Sequence, residues 1–283
     1  MVASRERQTI SDLKLLLEIS RWEKTSILQQ SQTHPLRISQ PFYLDREDSA
    51  RAYLYLRNNS PGILSGDRYN LEFNLASQTE VYFTEQSATK VHPMPQGEAE
   101  VHYRWEIDEK ASLEYVPEPA ILYRDAALRQ STTIQLDPTA SLFWCDSILP
   151  GRLARGECYG FRHYHHVLKI VSSEGKLWFK EQIRLEGQEN LYKMQKLFSS
   201  FPVMGTAIAI QPNIEIDILQ KQLDSLIPPR EEIMVAVSVL PYHRGIIIKA
   251  LASKSKLIKA YWQSVISEIR LLNHSAPLPF VPK

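Results

Sequence analysis

An alternation of apolar and polar residues with period two runs through the first two thirds of this 283-residue chain and leaves few folds open to it. In RYNLEFNL, Tyr69, Leu71, Phe73 and Leu75 fall on one side and Arg68, Asn70, Glu72 and Asn74 on the other, as in a strand with one face buried. The same beat recurs in ARAYLYLRN (50–58) and GKLWFKEQIRLEG (175–187), and in EVHYRWEID, where Val101, Tyr103, Trp105 and Ile107 face together. Turn formers in NNSPG (58–62), SGD (65–67), MPQG (94–97), LDP (136–138) and SSEG (172–175) separate these runs. Their spacing suits a sandwich, a barrel or stacked sheets. No strand-helix-strand rhythm interrupts them. No tandem repeat of constant length is visible either, so the sequence supports no propeller or solenoid with a readable period.

Beyond Ser199 the period lengthens. PNIEIDILQKQLDSL brings Ile214, Ile218, Leu219, Gln222 and Leu226 onto one face and predicts a helix near 214–226. EEIMVAVSVLPYHRGIIIKAL predicts two buried strands, Ile233–Leu240 and Gly245–Leu251, joined by a Pro-Tyr-His-Arg turn. A wide apolar stripe of Leu257, Ile258, Tyr261, Trp262, Val265, Ile266, Ile269 and Leu272 predicts a helix near 254–272, packed on a sheet with Ser253 as its N-cap. The proline-rich HSAPLPFVPK is expected to be extended or loose. The chain therefore divides into a flexible extension (1–12), one mostly β domain (13–275) with its two helices in the C-terminal third, and a tail (276–283).

Charge and cysteine content remove several classes of function. The formal net charge is +1 with acidic and basic residues interspersed, so no electrostatic footprint for nucleic acid or an anionic membrane exists. Two cysteines, Cys145 and Cys158, cannot form a disulfide framework, and a reducing cytoplasm is expected. Leu13–Leu17 is short and interrupted by Lys14, unlike a signal core or a membrane span.

Four stretches carry residue types capable of chemistry. GFRHYHHVLKI holds three histidines, but on a strand only His163 and His165 share a face, so a metal there needs ligands from elsewhere. A metalloenzyme reading rests on that pair, while His166 opens an apolar run and reads as a satisfied core or edge residue. PGILSGDRY has Gly62 and Gly66 without a following Gly-Lys-Ser/Thr, which makes it a hairpin rather than a phosphate loop; its Asp67 caps the turn or faces a cavity. LEYVPEPAILYRDA collects Glu114, Glu118 and Asp125, and Pro117 and Pro119 hold Glu118 in a rigid extended segment. Paired carboxylates allow glycoside hydrolysis, so a carbohydrate-active or sugar-binding β protein using Glu114 and Glu118 beside Tyr115 and Tyr123 is an alternative function. LPGRLARGE places Gly151, Arg152, Arg155, Gly156 and Glu157 in a compact turn that an Arg-Glu pair would stiffen.

Five blocks occur together in one order: QPFYLD (40–45), PGILSGD (61–67), TEQSATKVH (84–92), LEYVPEPAI (113–121) and GRLARGE (151–157). From about Leu15 through the last helix the chain resembles the UreD (UreH) family of urease accessory proteins on these blocks. It departs from the family pattern in reading Asn-Ser-Pro-Gly-Ile where a Pro-Gly-Gly run is common, and in lacking the usual Pro-Arg-aromatic ending. The resemblance implies a mostly β, helical stack of sheets and a non-enzymatic maturation factor, a nickel-insertion chaperone. Such a protein bridges apo-urease and UreF with the GTPase UreG, and self-associates within that complex. It holds no tight cofactor but passes Ni2+ in transit, through a polar internal tunnel. A conduit of that kind needs oxygen ligands weak enough to release a hydrated ion. The expected lining is Asp67, Thr84, Ser87, Glu114, Glu118 and Glu157, with Lys90, Arg152 and Arg155 organising the loops. The histidine cluster lies outside the family pattern.

Overall fold

A computed structural model describes residues 9–46, 49–187, 198, 200–229 and 231–283. The alternating runs form strands β1 (Thr9–Ile19), β2 (Thr25–Gln32), β3 (Leu36–Ile38), β4 (Ala52–Asn58), β5 (Asp67–Leu75), β6 (Glu80–Glu85), β7 (Thr89–Val91), β8 (Ala99–Ile107), β9 (Ser112–Val116), β10 (Ala120–Leu122), β11 (Ala127–Leu136), β12 (Ser141–Leu149), β13 (His163–Ser172) and β14 (Leu177–Glu186). They alternate between two sheets. The first has the order β14-β13-β11-β8-β5-β1-β2, and the second contains β12-β9-β6-β4-β3.

Within each sheet the consecutive coils pair in parallel. Leu54 lies beside Phe83, Phe83 beside Tyr115 and Tyr115 beside Trp144 in the second sheet. Leu71 lies beside Tyr103, Tyr103 beside Thr132 and Thr132 beside Leu168 in the first. The chain is thus a β-solenoid, the stacked-sheet architecture that the sequence predicts, and its coils recur with a loose structural period. That period is invisible in the residues because stacking requires only that inward positions be apolar. Leu, Phe, Tyr and Trp satisfy the requirement equally at one position of successive coils. The loop Pro150–Arg162 lengthens the coil between β11 and β13, which blurs the spacing further.

Two apolar layers result. Between the sheets, Phe73 stacks on Trp105 with ring centroids 4.0 Å apart, and Phe83 meets Phe73 edge-on at 4.8 Å. The second sheet is extended at its β12 edge by β15 (Val203–Ile210), β17 (Ile246–Ala252) and β16 (Ile233–Val239), paired antiparallel, and turns an outer face away from the first sheet. Helices α1 (Ile216–Ser225) and α2 (Ser255–Leu272) cover that face, where Ile258, Trp262, Val265 and Ile266 join Tyr53, Tyr82 and Phe143 in the second core. No helix among the described residues is long and apolar enough to cross a membrane.

Several local expectations change. β1 begins at Thr9 and so enters the stretch read as an extension, whose first eight residues lie outside the described ones. Helix α1 buries Leu219 and Leu223 while Ile218 is exposed, so its inward face is rotated from the expected one. Ser253 is not the cap of α2; Lys254 occupies that position and makes no side-chain capping bond. The tail is extended but docked rather than loose, with Val281 buried and Leu278 against the second core.

Candidate functional site

A cavity of about 110 Å3 lies between the sheets, where polar side chains interrupt the inward apolar rows. Strand alternation places them. On β6, Phe83 and Glu85 point inward while Tyr82 and Thr84 point out toward α2. Glu85 is 6% exposed and its Oε2 accepts a hydrogen bond of 3.1 Å from the Thr89 hydroxyl. Burial pushes its carboxyl up to about 7, against the pull of Thr89, Lys283 and Tyr103.

On β12, Trp144 and Asp146 share the inward side and line the same space with Tyr103, Tyr115 and Tyr164. Trp144 Nε1 and Asp146 Oδ2 are buried without a hydrogen-bond partner among the described residues. His166 stands behind Asp146, its Nδ1 3.4 Å from Oδ2 and its Nε2 3.0 Å from the Thr132 hydroxyl. It is a core residue. Burial raises the Tyr103, Tyr115 and Tyr164 phenols, so all three remain protonated donors beside the carboxylates.

Glu118, held extended between its prolines, borders both this cavity and a smaller hollow of about 30 Å3 under α2. Its Oε1 accepts from Lys259 at 2.7 Å and from Lys283 at 2.8 Å. Burial raises the Glu118 carboxyl, but the two ammonium groups outweigh it and hold the group below the usual carboxylate range. Pro117 and Ser147 also line both spaces.

The other expected lining residues are dispersed. Ser87 and Lys90 line the cavity, at its rim. Thr84 faces the outer hollow, its hydroxyl donating 2.5 Å to the Val116 carbonyl. Asp67 caps its turn through Leu64 N–H at 2.9 Å and accepts from the Tyr69 hydroxyl at 3.3 Å. It reaches the cavity only through Tyr69.

Glu114 points out to α2, where its oxygens accept 2.8 and 2.5 Å hydrogen bonds from Arg270. Arg270 also meets Asp45 and Tyr53, which explains the aspartate that ends QPFYLD. Glu157 accepts 2.8 and 2.5 Å bonds from Arg152 and a 2.6 Å bond from Arg124 N–H, stiffening its loop away from the cavity. Arg152 lies 4.6 Å over the Tyr123 ring, and Arg155 is exposed in a single 3-10 turn. The loop block PGILSGD needs its first glycine: Gly62 has φ +150, and a Cβ there would stand 2.3 Å from the Lys90 carbonyl oxygen.

His163 and His165 do share a face, with ring centroids 4.8 Å apart. Each binds its own carboxylate, His163 Nε2 at 2.9 Å from Glu98 and His165 Nε2 at 2.7 Å from Glu186. Among the described residues, no three histidine, cysteine or acidic side chains are placed to hold a metal together. Sequence reasoning missed Glu85, Asp146 and Lys283. The first two carried a signal, since each sits on the apolar side of its strand.

These features define a class: a two-sheet β-solenoid, covered by helices, with an interior cavity on whose wall Trp144 Nε1 and Asp146 Oδ2 are buried without a hydrogen bond among the described residues. Residues 12–283 match the family described as UreD urease accessory protein, and the chain belongs to that family. A urease accessory protein UreD of Trichodesmium erythraeum is 41% identical over 96% of this chain and 99% of its own length. A namesake from Bacillus cereus is 32% identical over 70% of the chain and 71% of its own, and one from Staphylococcus aureus 27% over 88% of each.

Proposed function

We propose that this chain is a urease maturation factor that hands Ni2+ to apo-urease while docked to UreF and the GTPase UreG, and that the ion passes through the interior of the solenoid. Family membership supports the urease role. The observation that carries the transit reading is the interior cavity, whose wall includes Glu85, Glu118 and Asp146, the last with a buried carboxylate oxygen that accepts no hydrogen bond among the described residues. Oxygen donors of this kind bind a divalent ion loosely enough to release it, unlike a closed histidine or thiolate cage. The exposed Ser87 and Lys90 mark a mouth beside Glu118, where Thr89 N–H donates 3.2 Å to the Pro119 carbonyl. The chain acts as a conduit and a bridge, without a reaction of its own.

The sugar-directed alternative finds less support. A glycosidase needs one carboxyl held protonated as a general acid. Glu118 is instead held ionised by two lysines, and Glu114 is locked by Arg270. The test is co-expression of the urease subunits, UreF and UreG with and without this chain, reading nickel per urease active site. Nickel and activity should collapse only in its absence; equal loading without it would refute the proposal.

A further inference from the structure

The segment 277–283 has no regular structure, yet it lies across the outer hollow beside Glu118. Its attachments are few. Val281 is buried, Leu278 packs on the second core and donates its N–H 3.3 Å to the Ser267 hydroxyl, and Phe280 is 87% exposed. Prolines at 277, 279 and 282 remove backbone donors that could otherwise anchor it.

Its strongest contact is the Lys283 ammonium, on which three oxygens converge: the Thr84 hydroxyl at 2.7 Å, the Glu85 carbonyl at 2.5 Å and Glu118 Oε1 at 2.8 Å. A hydroxyl, a carbonyl and a carboxylate around one cation are also the donors that hold hard divalent ions. The position lies where the two spaces meet, since Glu118 walls both, and Glu85 presents its carbonyl to the lysine while its carboxyl faces the cavity. We propose that segment 277–283 is a releasable strap whose Lys283 ammonium occupies a divalent-cation position at the cavity mouth, so that the strap must lift before an ion can enter or leave there.

The charges around the position are consistent with exchange. Glu118 holds both Lys259 and Lys283, and removing Lys283 leaves the Thr84 hydroxyl and the Glu85 carbonyl beside Glu118 without a cation on them. Burial lowers the Lys283 ammonium below its ordinary value, so the tail lysine is held in a site that disfavours it. Lys259 remains on Glu118 when Lys283 goes, so the carboxylate is not orphaned and the fold is retained.

This inference rests on the transit reading for the identity of the ion, and its test is separate. Ni2+ binding to the isolated full-length chain is measured by calorimetry for the parent, for Lys283→Met and for Lys283→Met with Glu118→Gln. The strap predicts that Lys283→Met gains one equivalent of Ni2+ bound at least tenfold more tightly, and that adding Glu118→Gln abolishes the gain. Deleting residues 280–283 should reproduce the gain, which guards against an effect peculiar to methionine. Unchanged affinity in both Lys283→Met and the deletion, or a gain that survives Glu118→Gln, overturns the strap. If binding tightens while urease loads equally well without this chain, the strap stands and the delivery reading falls. If binding is unchanged while loading depends on the chain, the strap falls and the delivery reading stands.

Discussion

Replacing Glu85 by glutamine tests whether the inward acid is as unfavourably placed as its surroundings imply. The group is buried, and its carboxyl is raised from an ordinary 4.5 to about 7. In this range the folded chain therefore holds a proton that the unfolded chain has released. Stability then falls as pH rises from about 4.5 to about 7 and levels off above. At about 1.4 kcal/mol for each tenfold change in proton affinity, the ionised parent gives up about 3 kcal/mol by pH 8. Glutamine keeps the shape and accepts from Thr89 without titrating. The difference in unfolding free energy between Glu85→Gln and parent should grow from near zero at pH 4.5 to about 3 kcal/mol in favour of the variant above pH 7. Urea denaturation followed by tryptophan fluorescence at half-unit pH steps measures it. A difference that stays constant across the range would show that Glu85 titrates normally and would refute the reasoning. Adding Lys283→Met should push the window to higher pH, because the Lys283 charge helps keep the carboxyl down.

Three further outcomes follow from the same geometry. Arg270→Met removes the hydrogen-bonded cation of buried Glu114 and leaves it and Asp45 to share Arg51, 3.9 and 3.3 Å away. It should cost roughly 3–5 kcal/mol in urea unfolding, part of it recovered by adding Glu114→Gln; a loss under about 1 kcal/mol would mean the ion pairs contribute nothing. Gly62→Ala puts a Cβ 2.3 Å from the Lys90 carbonyl oxygen, on a backbone with φ +150 that L side chains rarely adopt. A loss of about 1–3 kcal/mol, seen as a lowered Tm, is expected, and an unchanged Tm would contradict the turn geometry. Changing His163 and His165 together to alanine should leave nickel per urease unchanged and cost about 1 kcal/mol or less, since both are half-buried partners of separate carboxylates. A fall in nickel loading would move the pair onto the ion path.

What the chain reveals unaided follows from how local each interaction is. Period two identifies strands because alternation is a property of neighbouring residues, and helix α2 is legible for the same reason through its 3.6-residue stripe. Register between coils is set by residues about thirty positions apart whose only common trait is being apolar, so it leaves no repeat to find. The Arg270 bonds to Glu114 and Asp45 join residues 156 and 225 positions apart, and nothing local to any of them announces the partner. Loop carboxylates draw attention because their blocks are unusual, yet Glu114 and Glu157 spend their charge on arginines, and Asp67 on a turn.

The more reliable signal is parity. Val81, Phe83 and Glu85 lie on one side of β6, as do Leu142, Trp144 and Asp146 on β12, Leu128, Gln130 and Thr132 on β11, and Tyr164, His166 and Leu168 on β13. A polar residue on the apolar side of an alternating strand must face the interior, and burying it unpaired costs stability. In this fold those intrusions include Glu85, Gln130 and Asp146, all of which line the cavity. In a solenoid, a break in parity therefore points to the interior site more directly than does an unusual loop, because the sheet geometry leaves such a side chain no outward rotamer.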